Sequence, residues 1–164
     1  MDTFSKSLEI RHAQVEDLAE VVRIERAVPE APHWGESVYR DMLLQDSGEI
    51  TLNRALFVAG NSERILGFAV VAVVADQAEL ESIAVDPERR RLGVGRALSG
   101  AVILWGHGAG AQEMLLEVRS ASAEARALYD CLGFRETGLR RGYYSDPPDD
   151  AVLMSISLSN ATDL

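Results

Sequence analysis

Three β-rich runs crowd into the first half of the chain: Leu56 to Ala59, Ile65 to Ala75 and Glu79 to Val85. The turn-forming "GNSER" joins the first two, and Asp76-Gln77 joins the second to the third. Connections this short force antiparallel neighbours, because a parallel return needs about a dozen residues or more. The period then changes. From Gly93 to Gly106 the apolar stripe Val94, Leu98, Ala101, Val102 and Trp105 has helical spacing. Met114 to Val118 reads as a compact strand, Ser122 to Leu132 as a helix closed by a Gly133 cap, and Ala151 to Leu158 as a last strand. Upstream, Leu8 to Arg11 is a short strand and Val15 to Val28 a helix that stops before Pro29. "PEAPHWG" is a loop, and Glu36 to Leu44 a second short helix. A meander followed by strand–helix–strand–helix–strand predicts a mixed α/β sheet with helices on both faces. At 164 residues, one domain over 1–164 is expected.

Between the third run and the long helix lies "ERRRLGVGRAL", residues 88 to 98, with Arg89, Arg90, Arg91 and Arg96 around Gly93 and Gly95. A helix start offers unpaired N–H groups and partial positive charge, and glycines let an anion approach them closely. By itself the stretch is equally an ordinary helix start with a solvated basic skirt. A P-loop is excluded, since no Gly-Lys-Ser/Thr follows at the required spacing. A dinucleotide fingerprint would need a third glycine where Leu98 stands, although Glu113 and Glu117 fall where its ribose-binding acid would lie.

Arg90-x-x-Gly93-x-Gly95, preceded by "IAVDPERRR", resembles the pyrophosphate-binding motif of the GNAT (Gcn5-related) N-acetyltransferases. That resemblance implies a GNAT fold: a mostly antiparallel sheet in which one parallel strand pair opens to form the coenzyme A cleft. It implies acetyl-CoA as cosubstrate and no metal. It further implies that backbone groups of Ile83, Ala84 and Val85 bind the pantetheine arm. The segment Arg91, Leu92, Gly93, Val94, Gly95 and Arg96, with Arg90, would wrap the pyrophosphate.

Acetyl transfer to an amine needs a base, a stabilised oxyanion and a proton for the leaving thiolate. Glu117 shares one strand face with Leu115 and Arg119, and partial desolvation there would raise its pKa towards that of a useful base. The plainer reading is a strand-end acid in water or paired with an arginine. Tyr129 lies two helical turns after Ser122, so both project the same way; a phenol there could protonate a departing thiolate, or simply sit at the core boundary. "LEVR…ALYDCLGF" and "RRGYYSDPPDDAVLM" narrow the resemblance to the bacterial ribosomal-protein-alanine (RimI-like) branch, as does "PHWGESVY"; it covers residues 8 to 158. The branch implies Glu117 as general base and Tyr129 as general acid. Ser122 stands where the family usually has a cofactor-contacting asparagine; the shorter side chain weakens that contact or leaves it to water. Tyr143 and Tyr144, with Trp34, are candidate walls for the substrate. Asp146, Asp149 and Asp150 are either a cation-binding set or solvated turn residues.

The formal net charge of −10 and pI near 4.7 disfavour a nucleic-acid surface and favour a cationic acceptor. The basic residues are arginines apart from Lys6. No run approaches the ~20 apolar residues of a membrane span, and "MDTFSKSLEIRH" lacks the pattern of a signal peptide. The one cysteine, Cys131, excludes an internal disulfide, fits a reducing cytoplasm and is expected in the core. Asn160-Ala161-Thr162 matches a glycosylation acceptor that means little without secretion. The implied activity is N-acetylation of the terminal alanine of small-subunit ribosomal protein eighteen by direct attack in a ternary complex. Acetylation of lysine, polyamine or drug amines, or a non-catalytic acyl-CoA sensor, are the alternatives. The oligomeric state is not given by the sequence; a monomer is the default.

Overall fold

The computed structural model describes residues 7–44 and 52–159. Residues 1–6, the first half of the segment read for a signal peptide and including Lys6, and Asn160-Ala161-Thr162 lie outside the described residues. In chain order the elements are β1 (Glu9–His12), α1 (Leu18–Ala27), α2 (Glu36–Leu44), β2 (Leu52–Gly60), β3 (Ile65–Val74), β4 (Gln77–Val85), α3 (Val94–Gly108), β5 (Glu113–Arg119), α4 (Ala123–Leu132), β6 (Arg135–Ser145) and β7 (Pro148–Ser157). Single 3-10 turns, Val15–Asp17 and Pro87–Arg89, precede α1 and α3.

The seven strands form one sheet in the order β1-β2-β3-β4-β5-β7-β6, antiparallel throughout except for β4 against β5. β3 is an interior strand, buried along its whole length apart from Val74, which explains its unbroken apolar sequence. Its side chains alternate between two cores. Phe68 and Val70 meet Val21, Ile24, Tyr39 and Met42 of α1 and α2, while Ala69, Val71 and Val73 meet Leu98, Val102 and Ile103 of α3. Helices thus cover both faces of the β1–β4 half.

Two irregularities in this sheet create the space for chemistry. β4 and β5 pair only at Gln77–Glu79 against Glu113–Leu115, and beyond Leu115 β5 is held by β7. From Leu80 and Leu116 onward the parallel pair therefore parts, leaving one edge of β4 without a strand partner. Opposite Val70 and Val71 the register passes from Ser82 to Leu80, so Glu81 has no partner and forms a bulge. The bulge exchanges the faces of β4. Ala78 and Leu80 pack with the α3 core, as do Ile83 and Val85, whereas Ala84 packs with α1 and α2.

One element went unread and one expectation is corrected. Arg135–Ser145, for which the sequence pattern predicts no element, is a strand. It is an edge strand exposed at every position but Tyr144, so it lacks the apolar alternation by which a half-buried strand is read. Cys131 is exposed rather than in the core. The buried positions of α4 and its cap are Tyr129 and Phe134, which put Cys131 on the opposite side of the helix.

Candidate active site

The α3 start is built by Gly93, which caps the helix in the left-handed conformation (φ 78), and by Arg91 before it, also left-handed (φ 67). The strand-to-helix turn is itself anchored from behind. The buried Asp86 accepts from the Glu88 N–H (3.1 Å) and from Arg23 of α1 (3.1 Å). Burial works against ionisation of that carboxyl, yet these donors hold it below the usual carboxylate range. A groove of about 610 Å³ runs along this turn, bounded by Ile83, Ala84 and Val85 on the open edge of β4 and by α4 on the far side. Arg90, Arg91, Gly93, Val94, Gly95 and Arg96 form its basic end. Leu92 is exposed and stands outside its walls. Arg91 reaches Glu124 of α4 at 3.1 Å, an exposed pair.

This groove suits a phosphate-bearing donor. The first N–H groups of α3 have no intrahelical acceptor. Gly93 leaves open space where a Cβ would stand, and three guanidinium groups border the turn. The unpaired edge of β4 adds main-chain groups that an extended amide arm can bond, as another strand would.

A second cavity of about 470 Å³ lies on the other side of the parting strands. It shares Glu30, Ile83, Ser122, Ala125 and Tyr129 with the groove, so these residues form the passage between the two. Ser122 starts α4 without a side-chain capping bond, which leaves its hydroxyl available to the passage. Tyr129 is 5% exposed, and its ring packs edge-on against Phe134. Burial, then the neighbouring Tyr144, pushes its phenol up to about 12, so it keeps its proton across the neutral range.

The second cavity is acidic and aromatic. Glu117 projects into it from β5 and faces Arg140 of β6 at 3.4 Å; its side chain is 23% exposed. Tyr143 and Tyr144 form one wall with their rings edge to face, 5.0 Å apart. Contact with the Glu117 carboxylate raises the Tyr143 pKa, and burial raises that of Tyr144. A bulge lies between Arg140 and Tyr144, where the Gly142 N–H donates to Asp150 (2.8 Å); Tyr144 is half-buried and Tyr143 stays exposed. Arg119 lies over the Tyr144 ring at 4.2 Å.

Trp34 closes the opposite wall, from the loop between α1 and α2. The loop is pinned by Glu25, 1% exposed, which accepts from the Trp34 N–H (2.6 Å), the Gly35 N–H (3.2 Å) and the Tyr39 hydroxyl (2.7 Å). Burial, then this carboxylate, raises the Tyr39 pKa.

The sequence reading missed Glu79, Glu81 and Ser82, which line the same cavity. No local signal marked them, since the bulge that sets their direction is a register effect. Asp149 and Asp150 are spent on backbone instead, accepting from Ala121 and Gly142, and neither they nor Asp146 borders the cavity. Among the described residues, no group of three or more His, Cys, Asp or Glu could hold a metal ion.

A basic groove that meets an acidic cavity beside a buried tyrosine is an arrangement suited to a group transferase. The chain belongs to the acetyltransferase (GNAT) family, whose model matches residues 18–134. It is an N-acetyltransferase, and the family uses acetyl-CoA. The [ribosomal protein bS18]-alanine N-acetyltransferase of Escherichia coli K12 is 37% identical over 152 residues, 92% of this chain and 97% of that protein. The crystal structure of the ribosomal-protein-S18-alanine N-acetyltransferase from Escherichia coli matches with a TM-score of 0.79 at 34% identity, over 93% of this chain and 95% of that one. A putative acetyltransferase from Salmonella typhimurium, solved with acetyl-CoA, shares the fold at 20% identity and a TM-score of 0.74, over 93% and 95% of the two chains.

Proposed function

We propose that this protein is an acetyl-CoA-dependent Nα-acetyltransferase acting on the N-terminal alanine of ribosomal protein bS18. The observation that carries the reading is the 37% identity, over 92% of the chain, to relatives named for that reaction. The acidic, aromatic acceptor cavity supports it independently, because it suits a cationic peptide end.

Glu117 takes the proton from the α-ammonium group. An α-amine has a pKa of ~7.7–8.0 against ~10.4 for lysine, so stripping lysine costs roughly 3 kcal/mol more. Trp34, Tyr143 and Tyr144 hold the peptide end between them and keep the amine directed at the passage. Acetyl-CoA supplies a thioester, whose acetyl carbon bonds the amine nitrogen as its bond to sulfur breaks. Arg90, Arg91, Arg96 and the first N–H groups of α3 hold the pyrophosphate, and main-chain groups of Ile83 to Val85 hold the pantetheine arm. Ser122 offers a hydroxyl at the passage, a shorter reach than an asparagine amide. Tyr129 gives its hydroxyl proton to the departing sulfur, and the proton released by the amine nitrogen as the amide forms restores the phenol. Transfer is direct: Cys131 borders neither cavity, which supports a route without an acyl-enzyme. All of these groups belong to one chain, so the reading requires no second copy. A lone exposed thiol and a ribosomal substrate together favour the cytoplasm.

Free-thiol release from acetyl-CoA tests the reading across peptides beginning Ala, Ser, Met and Gly, beside spermidine and an N-terminally blocked peptide with an internal lysine. The Ala peptide is expected to turn over fastest. Turnover of spermidine alone would overturn the substrate, and acetyl-CoA binding without turnover of any amine would favour a sensor.

A further inference from the structure

Glu117 stands on its strand among like charges. Glu79 and Glu81 of β4 line the same cavity, and Glu81 accepts from Arg54 at 2.7 Å. On the strand of Glu117 itself, Arg119 is committed elsewhere, over the Tyr144 ring and donating to the carbonyls of Pro147 (2.8 Å) and Asp146 (3.3 Å). The neighbouring groups from α4 and β6 include the phenols of Tyr129, Tyr143 and Tyr144. Among the described residues, the ion pair of Glu117 is with Arg140, at 3.4 Å.

That contact spans the sheet. Arg140 belongs to the edge strand β6, and β7 lies between it and β5. An arginine on an exposed edge ordinarily keeps its head group in water; this one reaches back over β7 towards a largely buried carboxylate. The register gives it a lane. Arg119 and Arg140 both pair with Ala151 of β7, and Glu117 pairs with Leu153, so these side chains project from one face. Ala151 places only a methyl group between the two arginines. Tyr143 lies below the lane: the Arg140 guanidinium is 5.6 Å from its ring centroid, and the phenol contacts the same Glu117 carboxylate. The field of Arg140 extends further into the cavity. Burial, then Glu81 and Glu117, raise the Glu79 pKa, and Arg140 and Arg54 counter that rise.

We infer that Arg140 is a positioning residue for acetyl transfer, whose charge fixes the Glu117 carboxylate in one orientation within the acceptor cavity. This rests on the reading of Glu117 as the base and deepens it. Arg140 takes no proton and touches no reacting atom, so its effect passes through Glu117. A single contact at 3.4 Å, unlike a two-pronged guanidinium–carboxylate fork, depends on the charge rather than on the guanidinium plane, and a lysine can supply it.

A double-mutant cycle on a peptide beginning with alanine tests this, with Arg140→Gln, Arg140→Lys, Glu117→Gln and the Arg140→Gln/Glu117→Gln double variant. Arg140→Gln is expected to lower kcat by roughly tenfold, within the ~100-fold that a 1 Å misplacement near the chemistry can cost. The KM for the peptide stays near that of wild type, and Arg140→Lys recovers most of the lost kcat. In the Glu117→Gln background, Arg140→Gln is expected to cost nothing further in residual turnover. Fluorescence titration with acetyl-CoA, expected to give the wild-type Kd throughout, verifies that the variants are folded. A tenfold loss that persists in the Glu117→Gln background would overturn the inference, because Arg140 would then act on the fold rather than through Glu117. So would an unchanged kcat in Arg140→Gln, or a lysine variant as poor as the glutamine one. If Glu117→Gln alone keeps wild-type turnover, the base assignment fails, and the inference with it. If wild type acetylates spermidine and not the peptide, only the substrate reading fails, and the same cycle followed on spermidine decides the role of Arg140.

Discussion

In the proposed reaction Glu117 and Tyr129 divide the proton traffic, and the fold gives them different surroundings. The carboxylate stands on an open strand face with Arg140 and Tyr143 beside it, while the phenol is buried at the passage between the cavities. Replacing Glu117 by Gln removes the proton acceptor and keeps the shape. Turnover is expected to fall by about 10²–10⁴-fold, the usual contribution of a positioned base, with acetyl-CoA binding nearly unchanged. Stopped-flow turnover and an acetyl-CoA titration check the two halves separately. The strand position of Glu117 and the helix position of Tyr129 were legible from spacing, whereas their proposed roles rest on the family resemblance. Glu79 and Ser82 were not, because their direction follows from a pairing skip at Glu81 that only the register with β3 reveals. Asp149 and Asp150 were the visible acids near the tyrosines, yet they are taken up by turn hydrogen bonds.

At the scale of elements, the acceptor cavity depends on segments held from a distance. Glu25 lies in α1, yet its carboxylate fixes the loop that carries Trp34 through the Trp34 N–H, the Gly35 N–H and the Tyr39 hydroxyl. Glu25→Ala leaves those donors unpaired and is expected to destabilise the fold by about 3 kcal/mol. Chemical denaturation measures that loss. Below the denaturation transition the same variant is expected to raise KM for the peptide far more than for acetyl-CoA, since Asp86 and Arg23 still anchor the donor turn. The helices and the buried strands were read from the sequence within a few residues, because their apolar periods report which face is covered. β6 was not, since an exposed edge strand bearing Arg135, Arg140 and Arg141 has no covered face to report. Cys131 was misassigned for a related reason. Its helix is amphipathic, and the buried stripe runs through Tyr129 instead.

Over the whole molecule, an overall charge of −10 coexists with a basic turn at the start of α3. In the proposed reaction the two fields serve different ends: local arginines for an anionic donor, and an acidic cavity for a cationic acceptor. The sheet makes both possible by parting between β4 and β5, with a basic groove on one side of the opening and an acidic cavity on the other. The central claim is that the amine meeting Glu117 is a peptide α-amine. Tandem mass spectrometry of a peptide that begins with alanine and contains an internal lysine, after incubation with enzyme and acetyl-CoA, tests it directly. One acetyl group on the alanine nitrogen is the predicted product; an acetyl group on the lysine side chain, with the alanine free, would contradict the account.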